Sequence, residues 1–175
     1  MKTHHDDQIQ ELLYQALETE IAGVAIYETA IRCAFQDALR REWQMHLHEV
    51  RTHVLVLLDV FDELGLDPYR RTPIRETCAY IGGSLVEAMR TAQRTADTPA
   101  AELVATACVT LAETHDCMNW RLIAHVAQHA EGEVKRVLTA AYGKVAIPEN
   151  RARGATATQT PVGALGARHS RDQVH

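Results

Sequence analysis

EWQMHLHEVRTHVLVLLDVFDEL, residues 42–64, is the stretch that decides the fold. It contains no Gly or Pro, and its apolar residues recur at spacings of three and four, which predicts one long packed helix. The apolar positions are Trp43, Leu47, Val50, Val54, Leu57, Phe61 and Leu64. Gly65 follows at once and Pro68 three residues later, which predicts that the helix ends here.

Three polar residues share one strip of this helix. His46, Glu49 and His53 stand at i, i+3 and i+7, and at ~100° per residue they fall within an arc of roughly 60°. The strip continues into Leu57, so we expect it to face the interior. Buried polar groups without partners cost several kcal/mol, and a metal ion would satisfy all three. A hydrogen-bond cluster at the edge of the core is the alternative, because a chain with 10 His produces such clusters by chance.

Two other predicted helices carry acids among apolar residues. Helix one, about Asp6 to Gln36, has Glu20 inside its apolar seam. The alternative to a buried acid is that the side chain extends so that its carboxylate reaches solvent at the edge of the core. Helix four, starting at Asp97 and running to about Gln128, has Glu113 and Asp116 three positions apart. A partly exposed acidic turn is as good an interpretation of that pair as a ligand pair. The predicted seam of helix four is Leu103, Ala107, Leu111, Met118, Leu122 and Val126.

The remaining segments complete a predicted bundle over residues 1–148. A third helix, about Arg75 to Thr95, contains Gly82-Gly83, which lowers its helicity and permits close packing. A fifth helix, about Glu131 to Val145, is ended by Pro148, since an interior Pro loses a backbone bond and clashes with the preceding turn. Residues 149–175 have no periodic apolar positions, and we expect a disordered basic tail that contributes no fold stability.

Composition narrows the class of protein. Aromatic residues make up only 5% of the chain, which favours helices over a β-sandwich. Four scattered cysteines, Cys33, Cys78, Cys108 and Cys117, indicate reduced core thiols in the cytoplasm. No apolar run is long enough to span a bilayer and no secretory signal is evident, so we expect a soluble protein without a membrane partner. The net charge of −5 argues against nucleic acid as the main ligand.

Three segments together resemble the ferritin-like superfamily, and most closely small bacterial ferritin-like proteins near the YciF-type stress-associated branch. They are ETEIAGVAIYETAIRCA, HLHEVRTHVLVLLDVFDELGLDP and LAETHDCMNWRLI, and the resemblance covers most of Leu12 to Val145. It implies an all-α fold, an antiparallel four-helix bundle with an extra crossover helix. It also implies metal ligands at Glu20, His46, Glu49, His53, Glu113 and Asp116. Carboxylate and imidazole donors suit iron or manganese, as one ion or a dinuclear pair.

The last helix departs from the pattern of the related proteins, which carry further Glu and His there. This chain reads AYGKVAIPENRARGA and keeps only Glu149. Two functions therefore stay open. The first is a metal-binding protein in oxidative or general stress handling, with metal ions as its partners and with enzymatic activity undecided. The second is a non-catalytic helical scaffold or stress-associated homo-oligomer without bound metal.

Overall fold

A computed structural model describes the backbone of residues 4–156 and the side chains of residues 7–146. Over these residues the chain is an all-helical bundle without strands, and none of its helices is long and apolar enough to cross a membrane. The five helices are α1 (His4–Cys33), α2 (Asp37–Glu63), α3 (Pro73–Thr95), α4 (Thr98–His129) and α5 (Gly132–Thr156).

The turn from α1 to α2 is held by an acid of α4. The carboxylate of Glu102 accepts the backbone N–H of Phe35 at 2.6 Å and that of Gln36 at 2.7 Å. Burial works against ionisation of Glu102, but these hydrogen bonds lower its pKa overall. The N–H groups of Phe35 and Gln36 therefore bond to a side chain and do not continue the helix. As a result α1 ends at Cys33, three residues before the predicted end at Gln36.

Two prolines act differently on their helices. Pro73 occupies the first turn of α3, where a missing N–H costs nothing, and the Thr72 hydroxyl caps that helix by accepting the N–H of Arg75 at 3.4 Å. The prediction that Pro148 ends the fifth helix is wrong, because α5 continues to Thr156. A proline removes one backbone hydrogen bond of a helix, and the helix can resume beyond it with a kink.

α1 is the central helix of the bundle. It packs against α2, α3 and α4, while α5 packs against α2 and α4. The α5-side core is formed by α1, α2, α4 and α5, and its largest buried residues are Leu13, Tyr14, Leu17, Leu57, Phe61, Trp120, Ile123 and Leu138. The α3-side core is formed by α1, α2, α3 and α4, and includes Ile26, Tyr27, Trp43, Met89, Ala105 and Val109. The two cores meet near the middle of α1.

α4 buries a different face from the predicted one. The predicted seam residues Leu103, Leu111, Met118 and Leu122 are exposed, with Leu103 71% accessible. The buried apolar residues are Ala101, Ala105, Cys108, Val109, Trp120, Ile123 and Ala127, of which the first three are small and lie in the N-terminal half of the helix. Spacing alone cannot choose between two apolar faces of one helix. Small side chains on one face let α4 lie close to α1 and α3. The helix therefore buries this face and not the face with the larger leucines.

α3 approaches α1 at one of its two glycines. A Cβ added at Gly82 would lie 2.4 Å from the Cβ of Ala22, whereas one added at Gly83 would meet nothing within 4 Å. The close packing expected at this pair is therefore confirmed for Gly82 alone.

Candidate metal centre

A buried polar layer lies where the two cores meet. Glu20 of α1, His53 of α2 and Asp116 of α4 each offer one ligand atom, and these atoms all lie within 4.8 Å of one another. The side chain of Glu20 is 1% exposed and that of His53 is 8% exposed. Three helices thus contribute one potential ligand each to a single point in the interior.

The Glu20 carboxylate is oriented by two ring nitrogens. Trp120 Nε1 donates a hydrogen bond to Glu20 Oε1 at 2.7 Å, and His53 Nδ1 lies 3.1 Å from the same oxygen. The His53 and Trp120 rings meet edge to face with centroids 5.7 Å apart. The carboxylate and the imidazole are therefore held in place by packing as well as by hydrogen bonds.

One carboxylate oxygen of Asp116 is enclosed within the bundle. Its Oδ1 atom is buried and has no hydrogen-bond partner among the described residues. Burial, followed by the neighbouring carboxylate of Glu20, raises the pKa of Asp116. A buried and a half-buried carboxylate this close favour a proton or a cation between them, because their like charges repel where water is largely excluded.

An amide network beside the group ties α1 to α4. Asn119 is fully buried; its Oδ1 accepts from Gln15 Nε2 at 2.6 Å, and its Nδ2 donates to Thr19 Oγ1 at 3.1 Å. Thr19 and Asn119 adjoin Glu20 and Trp120 in sequence. The network therefore fixes the helix register that brings Glu20 to Trp120 and Asp116.

The other predicted ligands form two pairs nearby. The Tyr27 hydroxyl donates to Glu113 Oε1 at 2.6 Å, and burial together with the Glu113 charge raises the pKa of Tyr27, which keeps it a donor. His46 Nδ1 lies 3.0 Å from Glu49 Oε2, and the His46 ring stacks on Tyr27 with centroids 5.8 Å apart. These contacts link the predicted ligands of α2 and α4 through one tyrosine of α1.

A cleft of about 610 Å³ between α2 and α4 connects these groups. His46, Glu49, His53, Glu113 and Asp116 all line it. Of the six predicted ligands, the described structure gathers Glu20, His53 and Asp116 into one candidate ion group and leaves the other three outside that group. Glu149, the acid that follows Pro148, has its side chain outside the described residues.

Comparison with known proteins yields no relative. No protein-family model, curated protein or solved structure matches the chain. The interpretation of the site therefore depends on its own geometry.

Two residues of the site, Trp120 and Tyr27, were not predicted as functional. Trp120 follows Asp116 by four residues and Tyr27 follows Glu20 by seven, so each shares a helix face with a predicted ligand. That spacing was a usable signal. Aromatic residues in such positions usually fill the core, so the hydrogen bonds they make became evident only in three dimensions.

Proposed function

We propose that this protein is a ferritin-like metal-binding protein that holds iron or manganese at Glu20, His53 and Asp116. The observation that carries the proposal is the convergence of two carboxylates and one imidazole from three helices, with Glu20 and His53 buried and Asp116 half-buried. Charged groups are rarely buried unless paired or coordinating a metal. A cation here would meet the buried Asp116 oxygen that the described residues leave without a hydrogen bond.

The donor set favours particular metals and a particular chemistry. Two carboxylates with one imidazole suit iron or manganese, with zinc as a common substitute. Glu49 and Glu113 line the adjoining cleft. If a second ion binds, these two carboxylates would be its ligands. Bound iron or manganese would supply redox chemistry toward oxygen or peroxide, which fits oxidative or general stress handling. Trp120 and Tyr27 would keep the carboxylates Glu20 and Glu113 oriented.

The order of paired residues supports a ferritin-like, antiparallel arrangement of α1, α2, α4 and α5. Residue numbers rise along one helix as they fall along its neighbour. Between α1 and α2 the pairs are Glu20–His53 and Glu28–Arg51. Between α1 and α4 they are Gln15–Asn119 and Tyr27–Glu113. Between α2 and α5 they are Glu63–Arg136 and Asp59–Lys144. α3 packs on α1 and α4 outside this set of four, as a crossover helix would.

The second candidate function is a helical scaffold without metal. It is favoured by the hydrogen bond from Trp120 and the contact with His53, which stabilise Glu20 by protein groups alone. A proton shared between Glu20 and Asp116 would then replace the cation.

Metal binding separates the two candidates. We expect the purified protein, without added metal, to contain iron or manganese by elemental analysis. After removal of metal with a chelator, anaerobic titration with Mn²⁺ or Fe²⁺ should release heat and raise the melting temperature. At a free metal concentration of 100 times Kd, the stabilisation should be about 2.7 kcal/mol.

A matched pair of variants locates the binding. Glu20→Gln should abolish the heat and the thermal shift. Glu28→Gln should retain both, since Glu28 lies on the same helix in an exposed pair with Arg51. Absence of metal in the purified protein, together with no heat and no thermal shift on titration, would rule out the metal proposal and leave the scaffold.

A further inference from the structure

Two histidines stand one turn apart at the C-terminal end of α4. They are His125 and His129 in the sequence HVAQH, and both are exposed. Their ring centroids lie 4.3 Å apart, with the ring planes tilted by 41°. Residues at i and i+4 share one face of a helix, so the two imidazoles lie side by side on the surface of the bundle.

A hydrogen bond fixes which nitrogen of His129 is able to bind an ion. Its Nδ1 lies 2.8 Å from the backbone carbonyl oxygen of His125. A carbonyl oxygen only accepts hydrogen bonds, so Nδ1 carries the proton and, in the neutral ring, Nε2 keeps its lone pair. Histidines that bind metals typically donate their other ring N–H to a carbonyl or a carboxylate in this way. His129 therefore already has the tautomer of a metal ligand.

The separation of the two rings is close to that of a chelate. Two imidazoles that bind one tetrahedral ion at ~2.0–2.1 Å have ring centroids about 5 Å apart. Starting from 4.3 Å, the rings of His125 and His129 need to separate by less than about 1 Å to accept an ion. Small rotations of two exposed side chains provide this, and the backbone does not have to move.

The helix that carries the pair is held in place by the core. Ile123 and Ala127 lie on the opposite face of α4 and are buried in the α5-side core. The helix ends at His129, and the C-terminal end of a helix carries partial negative charge, which favours a cation. A fixed backbone and a negative helix end both favour binding of a cation by this pair.

The donor atoms of the pair differ from those of the interior group. The interior group combines two carboxylates with one imidazole, whereas the pair offers ring nitrogens alone, which suit Zn²⁺, Ni²⁺ or Cu²⁺ better than Mn²⁺ or Mg²⁺. The H-E-x-x-H helix of zinc proteases binds its ion with the same spacing of four residues and uses the Glu as a general base. In this chain Val126 occupies the position of that Glu. The pair is thus suited to binding an ion and lacks the base for hydrolysis.

We propose that His125 and His129 form a second metal site, which chelates one Zn²⁺, Ni²⁺ or Cu²⁺ ion at the surface of the bundle. Nε2 of His129 and one ring nitrogen of His125 bind the ion, and water fills the other positions. The ion links two consecutive turns of α4 and so stabilises the end of this helix beside α5. This site does not depend on the interior group, because the two share no residue.

The experiment measures how Zn²⁺ protects each histidine from chemical modification. Full-length, chelator-treated protein carries Glu20→Gln, which removes one carboxylate of the interior group. Diethyl pyrocarbonate modifies a free neutral imidazole, and a bound ion blocks the reaction. Trypsin releases His125 and His129 in one peptide, residues 122–135, which contains no other histidine. Tandem mass spectrometry then gives the extent of modification at each residue as a function of Zn²⁺ concentration.

We expect Zn²⁺ to protect both histidines with a single midpoint concentration. His125→Asn should raise the midpoint for His129 roughly 100-fold or more, because loss of one ligand removes the chelate, and His129→Asn should do the same for His125. Mn²⁺ should protect much less than Zn²⁺ does at the same concentration. The control, His4→Asn with His5→Asn, removes two adjacent histidines elsewhere in the chain and should leave the midpoint unchanged. Circular dichroism should show the same helical content for every variant.

Independent protection of the two histidines would overturn the proposal. If His129 is protected at the same Zn²⁺ concentration with and without His125, each ring binds ions singly. Equal protection of His48, an exposed histidine of α2, would show adventitious surface binding only. Protection by Mn²⁺ as strong as that by Zn²⁺ would contradict the assignment to ring nitrogens. Because Glu20 is replaced throughout, failure here leaves the metal-binding proposal for the interior to its own test.

Discussion

Asp116 is half-buried with its Oδ1 atom enclosed, and its surroundings disfavour the charged form of its carboxyl group. Its carboxylate lies beside that of Glu20, and its Oδ1 has no hydrogen-bond partner among the described residues. Because burial and Glu20 raise its pKa, the native state holds a proton over a pH range in which the unfolded chain has released it. Stability then falls as the pH rises through that range.

We predict that Asp116→Asn stabilises the chelator-treated protein at neutral pH. Asn has no proton to lose and can still donate a hydrogen bond to Glu20. The advantage of the variant should be small near pH 4, close to the ordinary aspartate pKa of about 3.9, and should grow as the pH rises. Urea unfolding at several pH values measures it. A variant that is less stable than the wild type at neutral pH would show that the Asp116 carboxylate makes stabilising contacts.

A second residue-scale prediction concerns two leucines in different surroundings. Leu57 is fully buried in the α5-side core, whereas Leu111 of α4 is 61% exposed. Leu57→Ala should therefore cost about 2–5 kcal/mol of unfolding free energy, through lost burial and a cavity. Leu111→Ala should change it by less than about 0.5 kcal/mol. Chemical denaturation of both variants checks the assignment, and similar losses for the two would mean that α4 buries its large apolar face.

At the scale of elements, small residues decide how closely the helices lie. The buried residues of α4 include Ala101, Ala105 and Cys108, and α3 presents Gly82 to Ala22 of α1. Close backbone approach brings α1, α2 and α4 near enough for the short side chain of Asp116 to reach Glu20 and His53. Large apolar residues on those faces would separate the helices.

The two glycines of α3 provide a test of this close approach. Gly82→Ala should destabilise the protein by about 1–3 kcal/mol, because its Cβ would clash with Ala22 and force the helices apart. Gly83→Ala, one residue away, meets open space and should stabilise by roughly 0.5–1 kcal/mol through helix propensity. Thermal and urea unfolding of both variants give the signs. Stabilisation by both substitutions would exclude tight contact at Gly82.

At the scale of the whole molecule, two apolar cores are separated by one polar layer. The α5-side core and the α3-side core each combine four helices, and α1, α2 and α4 contribute to both. Glu20, His53 and Asp116 lie between the cores, where all three helices meet. We therefore expect most of the stability from hydrophobic burial in the two cores on either side of this layer.

Residues 157–175 should contribute nothing to that stability. They lie outside the described residues, and their sequence has no periodic apolar positions. A chain ending at Thr156 should melt within about one degree of the full chain, since only a change in unfolding free energy moves the midpoint. A drop of many degrees in calorimetry would show that this terminal part packs on the bundle.

The sequence by itself determined the all-helical class, much of the apolar seam of α2 (Trp43, Val50, Leu57 and Phe61 are buried) and the polar strip on the same helix. Those features follow from local periodicity and caps, which each helix expresses independently of its neighbours. It also singled out Glu20 as an acid in an apolar seam, and the structure buries this residue. Only the tertiary structure decided which face α4 buries, that Asp116 joins Glu20 and His53 more closely than Glu113 does, and that Trp120 orients the group. These depend on contacts between residues some hundred positions apart, where helix register and close approach are set by packing and cannot be read from spacing along one helix.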